Sequence, residues 1–186
     1  MHSQEQPPAF AFRSHWPRLV VLTAMIVVAA LARLVPHPPN FTPIGAVAIF
    51  GGACFADRRL ALLVTLAAMF LSDLVIGFHM LMPVVYGSFA LNVLLGRWLR
   101  ARRTVTSTAA VTLLGAIQFF IVTNFACWVS FYPHTLEGLL ACYIAAIPFF
   151  QNTLLGDAVF VSALFGGLAI AERAWPTLRE PLPTIG

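Results

Sequence analysis

Five side chains in a sequence otherwise poor in polar groups could do chemistry: His37, His79, His134, Asp73 and Asp157. Each of these histidines lies in a break between apolar runs, at Pro36-His37-Pro38-Pro39, Gly77-Phe78-His79 and Tyr132-Pro133-His134. Imidazole in such a connection can contact a ligand, titrate near neutral pH or ligate a transition metal. It is equally comfortable in an interfacial loop. The two acids stand inside apolar runs instead. A carboxylate within a bilayer costs roughly 3 kcal/mol or more unless it faces the protein interior, is paired, or is protonated. Asp73 and Asp157 therefore read either as ligand-facing groups or as a polar clasp between helices, of the kind that Asn92, Gln118 and Asn124 also supply.

Composition identifies the solvent these residues must live in. The 186 residues are 60% hydrophobic and only 10% charged, with a mean hydropathy of +0.86, whereas a soluble domain carries about 25% charged residues. A soluble globule is excluded. At about 20 residues per transmembrane helix, the chain holds six spans with short connections and no separate soluble domain. We expect an all-α membrane domain over 19–172, flanked by cytoplasmic tails at 1–18 and 173–186.

The apolar runs place the helices. Leu19 to Leu31 is the first, and its alternative is a signal peptide with Arg13 and Arg18 as the basic region. Four prolines between Pro36 and Pro43 preclude helix there and leave a structured loop. Ile44 to Ala56 predicts a short or tilted second helix. Leu60 to Gly96 predicts helices three and four, joined by a hairpin at Gly77 to Pro83, and the acid- and base-free stretch from Thr104 to Leu136 predicts the fifth. The twelve residues from Leu136 to Ile147, stopped by Pro148, predict a re-entrant or interfacial segment. The sixth helix then runs from about Asn152 to Ala171.

All eleven basic residues are arginine. With the N-terminus inside, ten lie in cytoplasmic segments and only Arg33 lies outside, the bias expected of an inner-membrane protein with both termini cytoplasmic. The excess of positive charge thus reports orientation in a lipid bilayer and not a nucleic-acid partner. Arg97, Arg100, Arg102 and Arg103 read as an anchor near anionic lipid or as a docking surface for a cytoplasmic partner.

This topology puts His37, His79 and His134 on the outer side with Asn40, Phe41, Met80, Met82, Tyr86, Trp128 and Tyr132. Asp73 lies roughly 7–8 Å below the outer end of its helix, at 1.5 Å per residue, and Asp157 at a similar depth. With Asn124 they surround an outward-facing vestibule, although Trp128 and Tyr132 also fit an aromatic belt. Histidine, asparagine or tyrosine side chains, a ligand or water are the expected partners of the two acids. There is no nucleophile elbow, zinc-protease helix or phosphate loop. The three cysteines, Cys54, Cys127 and Cys142, are an odd number without metal-like spacing. A haem held by His79 and His134 would need them on facing helices instead of loops. We therefore expect neither an enzyme nor an intrinsic cofactor.

The segments Pro36-His37-Pro38-Pro39-Asn40-Phe41-Thr42-Pro43-Ile44-Gly45-Ala46, Phe50-Gly51-Gly52-Ala53, Ser72-Asp73-Leu74 and Val85-Tyr86-Gly87-Ser88-Phe89-Ala90 carry a resemblance. Over roughly residues 18 to 172 the chain resembles small bacterial membrane proteins related to the substrate-binding S-components of energy-coupling-factor transporters, including solitary cobalamin transporters of the BtuM type. The resemblance implies a six-helix S-component-like fold with an outward vitamin pocket, and cobalamin or a related corrinoid as the transported small-molecule nutrient. His37, Asp73 and Tyr86 stand at positions that resemble those with which such transporters surround their ligand.

Two departures accompany it. The cysteine that those transporters place near the end of helix three is missing from Gly77 to Pro83, which leaves His79 as the candidate axial cobalt ligand and Cys127 or Cys142 as substitutes. The paired alanines that dock an energising ATPase module are also missing, since Ala24, Ala29, Ala30 and Ala32 include no pair four apart. A membrane scaffold with structural acids, and a corrinoid-modifying or redox enzyme, are the competing classes.

Overall fold

The computed structural model describes residues 9–179. The expectations for the extreme tails fall partly outside that range. Among the described residues there are six α-helices: α1 (Ala9–Leu31), α2 (Ile44–Cys54), α3 (Arg58–Ile76), α4 (Met82–Arg97), α5 (Val105–Phe131) and α6 (Leu136–Ala174). Three single-turn 3-10 segments follow α1, α4 and α6. Consecutive helices run in alternating directions. The connections at 32–43, 77–81 and 132–135 therefore gather at one end, here the histidine end, and those at 55–57 and 98–104 gather at the other, the arginine end.

Local signals explain most boundaries. Asp57 caps α3 by accepting from the N–H groups of Arg59 at 2.6 Å and Leu60 at 3.3 Å, the usual service of an N-cap carboxylate. Gly77, with φ of +106°, ends that helix in a conformation that excludes L side chains. Thr104 and Ser107 form a reciprocal capping box on α5, and Thr135 caps α6 through the Gly138 N–H. The buried positions of α3, Ala61, Thr65, Ala68, Met69, Ser72 and Asp73, make one stripe at helical period.

Four segments, at Trp16–Leu34, Arg58–Ile76, Val105–Phe131 and Leu136–Ala174, are long and apolar enough to cross a bilayer. Exposed Leu63, Val75, Leu113, Ile144, Val159 and Ile170 give the molecule a surface suited to lipid. This is a helical membrane protein.

The exception is α2. All eleven of its residues are buried, and α1, α3, α4, α5 and α6 all pack around it. At 1.5 Å per residue it is about 16 Å long, roughly half of a bilayer core. Small residues make this enclosure possible. A Cβ on Gly52 would strike the Val93 carbonyl, and one on Gly96 would strike the Ile49 carbonyl, so α2 and α4 touch backbone to backbone at two levels. At the arginine end, the C-terminus of α2 meets three guanidinium groups. Arg100 donates to the Phe55 carbonyl, Arg97 to the Ala56 carbonyl at 3.4 Å, and Arg103 to the Cys54 Sγ at 3.6 Å. Cations there complement the negative end of the helix dipole.

Two boundaries differ from expectation. Helix α1 begins at Ala9, ahead of Leu19, with Pro17 inside it. The stretch from Leu136 to Ile147 is not a separate re-entrant segment, nor does the last helix start at Asn152. Both belong to the single 39-residue α6, with Pro148 in its interior. Proline removes one N–H donor from the ladder, and a long apolar helix packed on a neighbour keeps the rest. Continuity has a geometric result. Asn152 reaches the loop carbonyl of Pro39 at 2.9 Å, so the sixteen residues of α6 before it, roughly 24 Å of helix, rise past that loop alongside α5 as an overhanging hairpin.

Candidate functional site

The loop from Val35 to Pro43 is the floor beneath this overhang. Its turn is held by Phe41 N–H donating to Pro38 O and by Thr42 N–H donating to Asn40 O, both at 3.0 Å. Asn40 takes a left-handed conformation with φ of 63°, which asparagine tolerates better than most residues. Phe41 packs on Phe160 with ring centroids 5.8 Å apart, and Gly156 of α6 lets the backbone of Phe41 and Thr42 approach closely.

Above this floor, α5 and α6 enclose a recess of about 300 Å3. Its walls are Phe119, Phe120, Phe149 and Phe150, and its polar groups are Asn40, Thr123, Asn124, Cys127 and Thr153. A smaller cleft of about 40 Å3 continues from it, sharing Asn40, Phe119 and Thr153 and reaching Thr42, Asn92 and Asp157. Thr123, Asn124 and Thr153 each donate to a carbonyl of their own helix. What remains unspent is the Asn124 side-chain oxygen and the Asp157 carboxylate, which accept, and the Asn40 amide, which can both accept and donate.

Asp157 is 2% exposed. Its carboxylate lies against Gly45, in the space a side chain there would occupy. It thus sits on the first turn of α2, where the helix dipole favours negative charge. No basic side chain pairs with it among the described residues.

Asp73 is placed differently. Arg33 donates to its Oδ1 at 2.7 Å and Tyr86 donates to its Oδ2 at 2.7 Å, while Arg33 also donates to Ser72 Oγ at 2.7 Å. Both carboxylate oxygens are therefore engaged within the protein, and one partner is the lone arginine of this end. The clasp joins the 3-10 turn after α1 to α3 and α4. It lies outside the recess lining.

The three histidines do not converge. His37 Nδ1 donates to the Pro38 carbonyl at 2.9 Å, and His134 Nε2 donates to the Val129 carbonyl at 2.9 Å. His79 is exposed in the 77–81 connection, its carbonyl accepting from the Met82 N–H. Trp128 donates to the Pro133 carbonyl at 2.9 Å and lies edge-on to His134, with ring centroids 5.5 Å apart. Tyr132 ends α5 as its C-cap. These residues close the α5–α6 turn and do not line the recess. No cluster of three or more candidate metal ligands occurs among the described residues.

Of the residues expected around a vestibule, the recess brings together Asn40, Asn124 and Asp157. It adds Thr123, Thr153 and four phenylalanines that sequence reasoning did not single out, together with Cys127, which enters there only as a substitute cobalt ligand. The adjacent polar pairs Thr123-Asn124 and Asn152-Thr153, each interrupting an apolar helix, are the signal that could have found them.

A larger hollow lies elsewhere. It is a groove of about 760 Å3 between α5 and α6 toward the arginine end, walled by Ala109, Leu113, Leu154, Val161 and Phe165. The Thr112 and Ser162 hydroxyls in it already donate to their own helices. Its mostly apolar walls suit lipid chains, and Arg103, Thr104, Thr108 and Glu172 also line it.

Fold and recess together define a small all-helical membrane protein with a half-length helix sealed inside it and a carboxylate at that helix's N-terminus. The chain belongs to the family described as a family of unknown function, DUF6580, which matches residues 13–178. No curated protein and no solved structure matches the chain.

Proposed function

We propose that this protein is a substrate-binding or transport protein of the bacterial inner membrane, which takes up a small organic nutrient at its histidine end. In this reading all six helices form the membrane domain, both termini are cytoplasmic, and ten of the eleven arginines lie inside. The observation that carries the reading is the aromatic-walled recess descending to Asp157, with acceptors left unspent along it. An apolar pocket with a few convergent polar groups is the usual form of a small-molecule site.

The acceptors favour a ligand presenting hydrogen-bond donors or a cationic group. A volume of about 300 Å3 lies at the small end of pockets that enclose drug-sized ligands. A compact ligand fits the recess as it stands, whereas the corrinoid implied by the family resemblance requires α5 and α6 to part. Axial cobalt ligation by His79 would in addition need the 77–81 connection to reach over the recess.

Native mass spectrometry after purification in mild detergent tests the proposal. A small molecule retained by the wild type and lost in Asp157→Asn supports it, and titration with cobalamin tests the corrinoid directly. A ligand-free protein that copurifies with one specific protein would support a scaffold instead, and turnover of a bound ligand would support an enzyme. One observation favours the scaffold reading at one position: Asp73 is fully engaged by Arg33 and Tyr86. Asp73→Asn should then lower the amount of folded protein while leaving binding per folded molecule unchanged.

A further inference from the structure

We propose that Cys127 and Cys142 are a reversible disulfide site that fastens α5 to α6 across the wall of the recess. Cys142 donates its thiol to the Asn124 carbonyl at 3.4 Å. Cys127 follows Asn124 by three residues and so shares its face of α5. Cys142 therefore sits against the turn of α5 that carries Cys127. Their surroundings differ in a useful way. Cys127 is half-buried and lines the recess beside Asn124 and Ala146, whereas Cys142 is buried. The third cysteine, Cys54, is buried at the opposite end of the molecule beside Arg103.

The chemistry is a pair of thiol–disulfide exchanges. Cys127, as thiolate, attacks a small-molecule disulfide that reaches the recess, forming a mixed disulfide and releasing one thiol. Cys142 then attacks the Cys127 sulfur, the protein disulfide forms, and a second thiol leaves. Two protein thiols are oxidised and one external disulfide is reduced to two thiols, with no net change in protons. Buried Cys142 resolves the mixed disulfide because its sulfur already lies against the turn of α5 that carries Cys127. In the oxidised state the recess loses a thiol and its two helical walls are bonded together. The inference stands on the two sulfurs and is independent of whether the recess binds a nutrient. If the histidine end faces outward, as proposed above, the pair lies on the oxidising side of the membrane.

The test uses the full chain in detergent micelles, exposed to oxidised glutathione, denatured, alkylated and weighed intact. The expected product carries one alkylated cysteine, no glutathione, and the mass of two fewer hydrogens, and its digest links the peptides of Cys127 and Cys142. Dithiothreitol should restore three alkylatable thiols. Cys142→Ser should instead trap glutathione on Cys127, and Cys54→Ser, which leaves the pair untouched, should still form the link. Wild-type protein that keeps three alkylatable thiols, or that accumulates a stable glutathione adduct, overturns the proposal. So does a link that depends on Cys54.

Discussion

Asp157 occupies the space that a side chain at Gly45 would need, although the two residues are separated by more than one hundred positions in sequence. Glycine at the start of α2 and the carboxylate of α6 are therefore one arrangement. Gly45→Ala should destabilise the protein by displacing Asp157, and adding Asp157→Ala should recover part of the loss, because the clashing oxygens are gone. A coupling of about 1–3 kcal/mol is expected for residues in direct contact. Thermal unfolding of both single variants and the double variant in detergent measures it, and strict additivity would show that the two do not share the space.

The Arg33–Asp73 pair should behave as a structural unit. Removing one partner of a buried ion pair strands the other and costs on the order of 3 kcal/mol, and the Asp73 side chain is only 8% exposed. Arg33→Gln and Asp73→Asn should each lower the unfolding temperature, and the double variant should lose less than the sum. Two independent losses would mean that each residue acts through other contacts.

Much of this architecture is legible in the sequence, and what is missing has physical reasons. The apolar run from Ile44 announces α2, the run from Leu60 to Gly96 with its break at Gly77 announces α3 and α4, and the uncharged stretch from Thr104 announces α5. The short length of α2 is also plain. Its complete enclosure is not, because an evenly apolar run looks the same among lipids as among helices. Pro148 looked like a stop because in water it often is one, whereas α6 continues through it. The pairings Arg33–Asp73 and Gly45–Asp157 join distant segments, and nothing in local periodicity encodes which acid receives the arginine and which receives the helix terminus. The recess gathers Asn40 with α5 and α6, while the three histidines that drew attention as a set remain in separate connections.

Close approach of α2 and α4 should tolerate no added carbon. Gly52→Ala and Gly96→Ala each direct a methyl group into backbone, which cannot swing aside as a side chain would. Overpacking costs typically 1–3 kcal/mol, or about that at least where only backbone can move. Gly87→Ala and Gly166→Ala, which meet open space, should be close to neutral. Comparing the folded yield and unfolding temperature of the four variants would reveal whether these contacts hold the helices at their observed distance.

Asp57 offers a pH test outside the membrane-spanning segments. The N–H groups of Arg59 and Leu60 hold its carboxyl below the ordinary carboxylate range. A depressed folded pKa contributes stability above the ordinary value, about 3.9, and that contribution is lost as pH falls through the folded value. Asp57→Asn keeps a capping acceptor but cannot titrate. Its unfolding temperature should therefore decline less than that of the wild type below about pH 4. Parallel acid limbs in the two proteins would show that other groups control acid sensitivity.

The proposed sidedness rests on the arginines. Reporter fusions placed after Gly186 and within 77–81 should report cytoplasm and exterior, respectively, if ten arginines lie inside. A reversed pair would turn the recess toward the cytoplasm and require a different direction of ligand capture.

The enclosure of α2 also constrains how the chain is made. A helix of eleven residues is too short to stay in the bilayer as an independent span, and α4, the neighbour it meets backbone to backbone, emerges later in synthesis, after α3. Until the α3–α4 pair is inserted, α2 has no complete protein wall to shelter it. Biogenesis must therefore hold a marginal segment in reserve until its surroundings arrive. Chains interrupted between residues 55 and 81 would leave that segment uncovered and become substrates for membrane quality control.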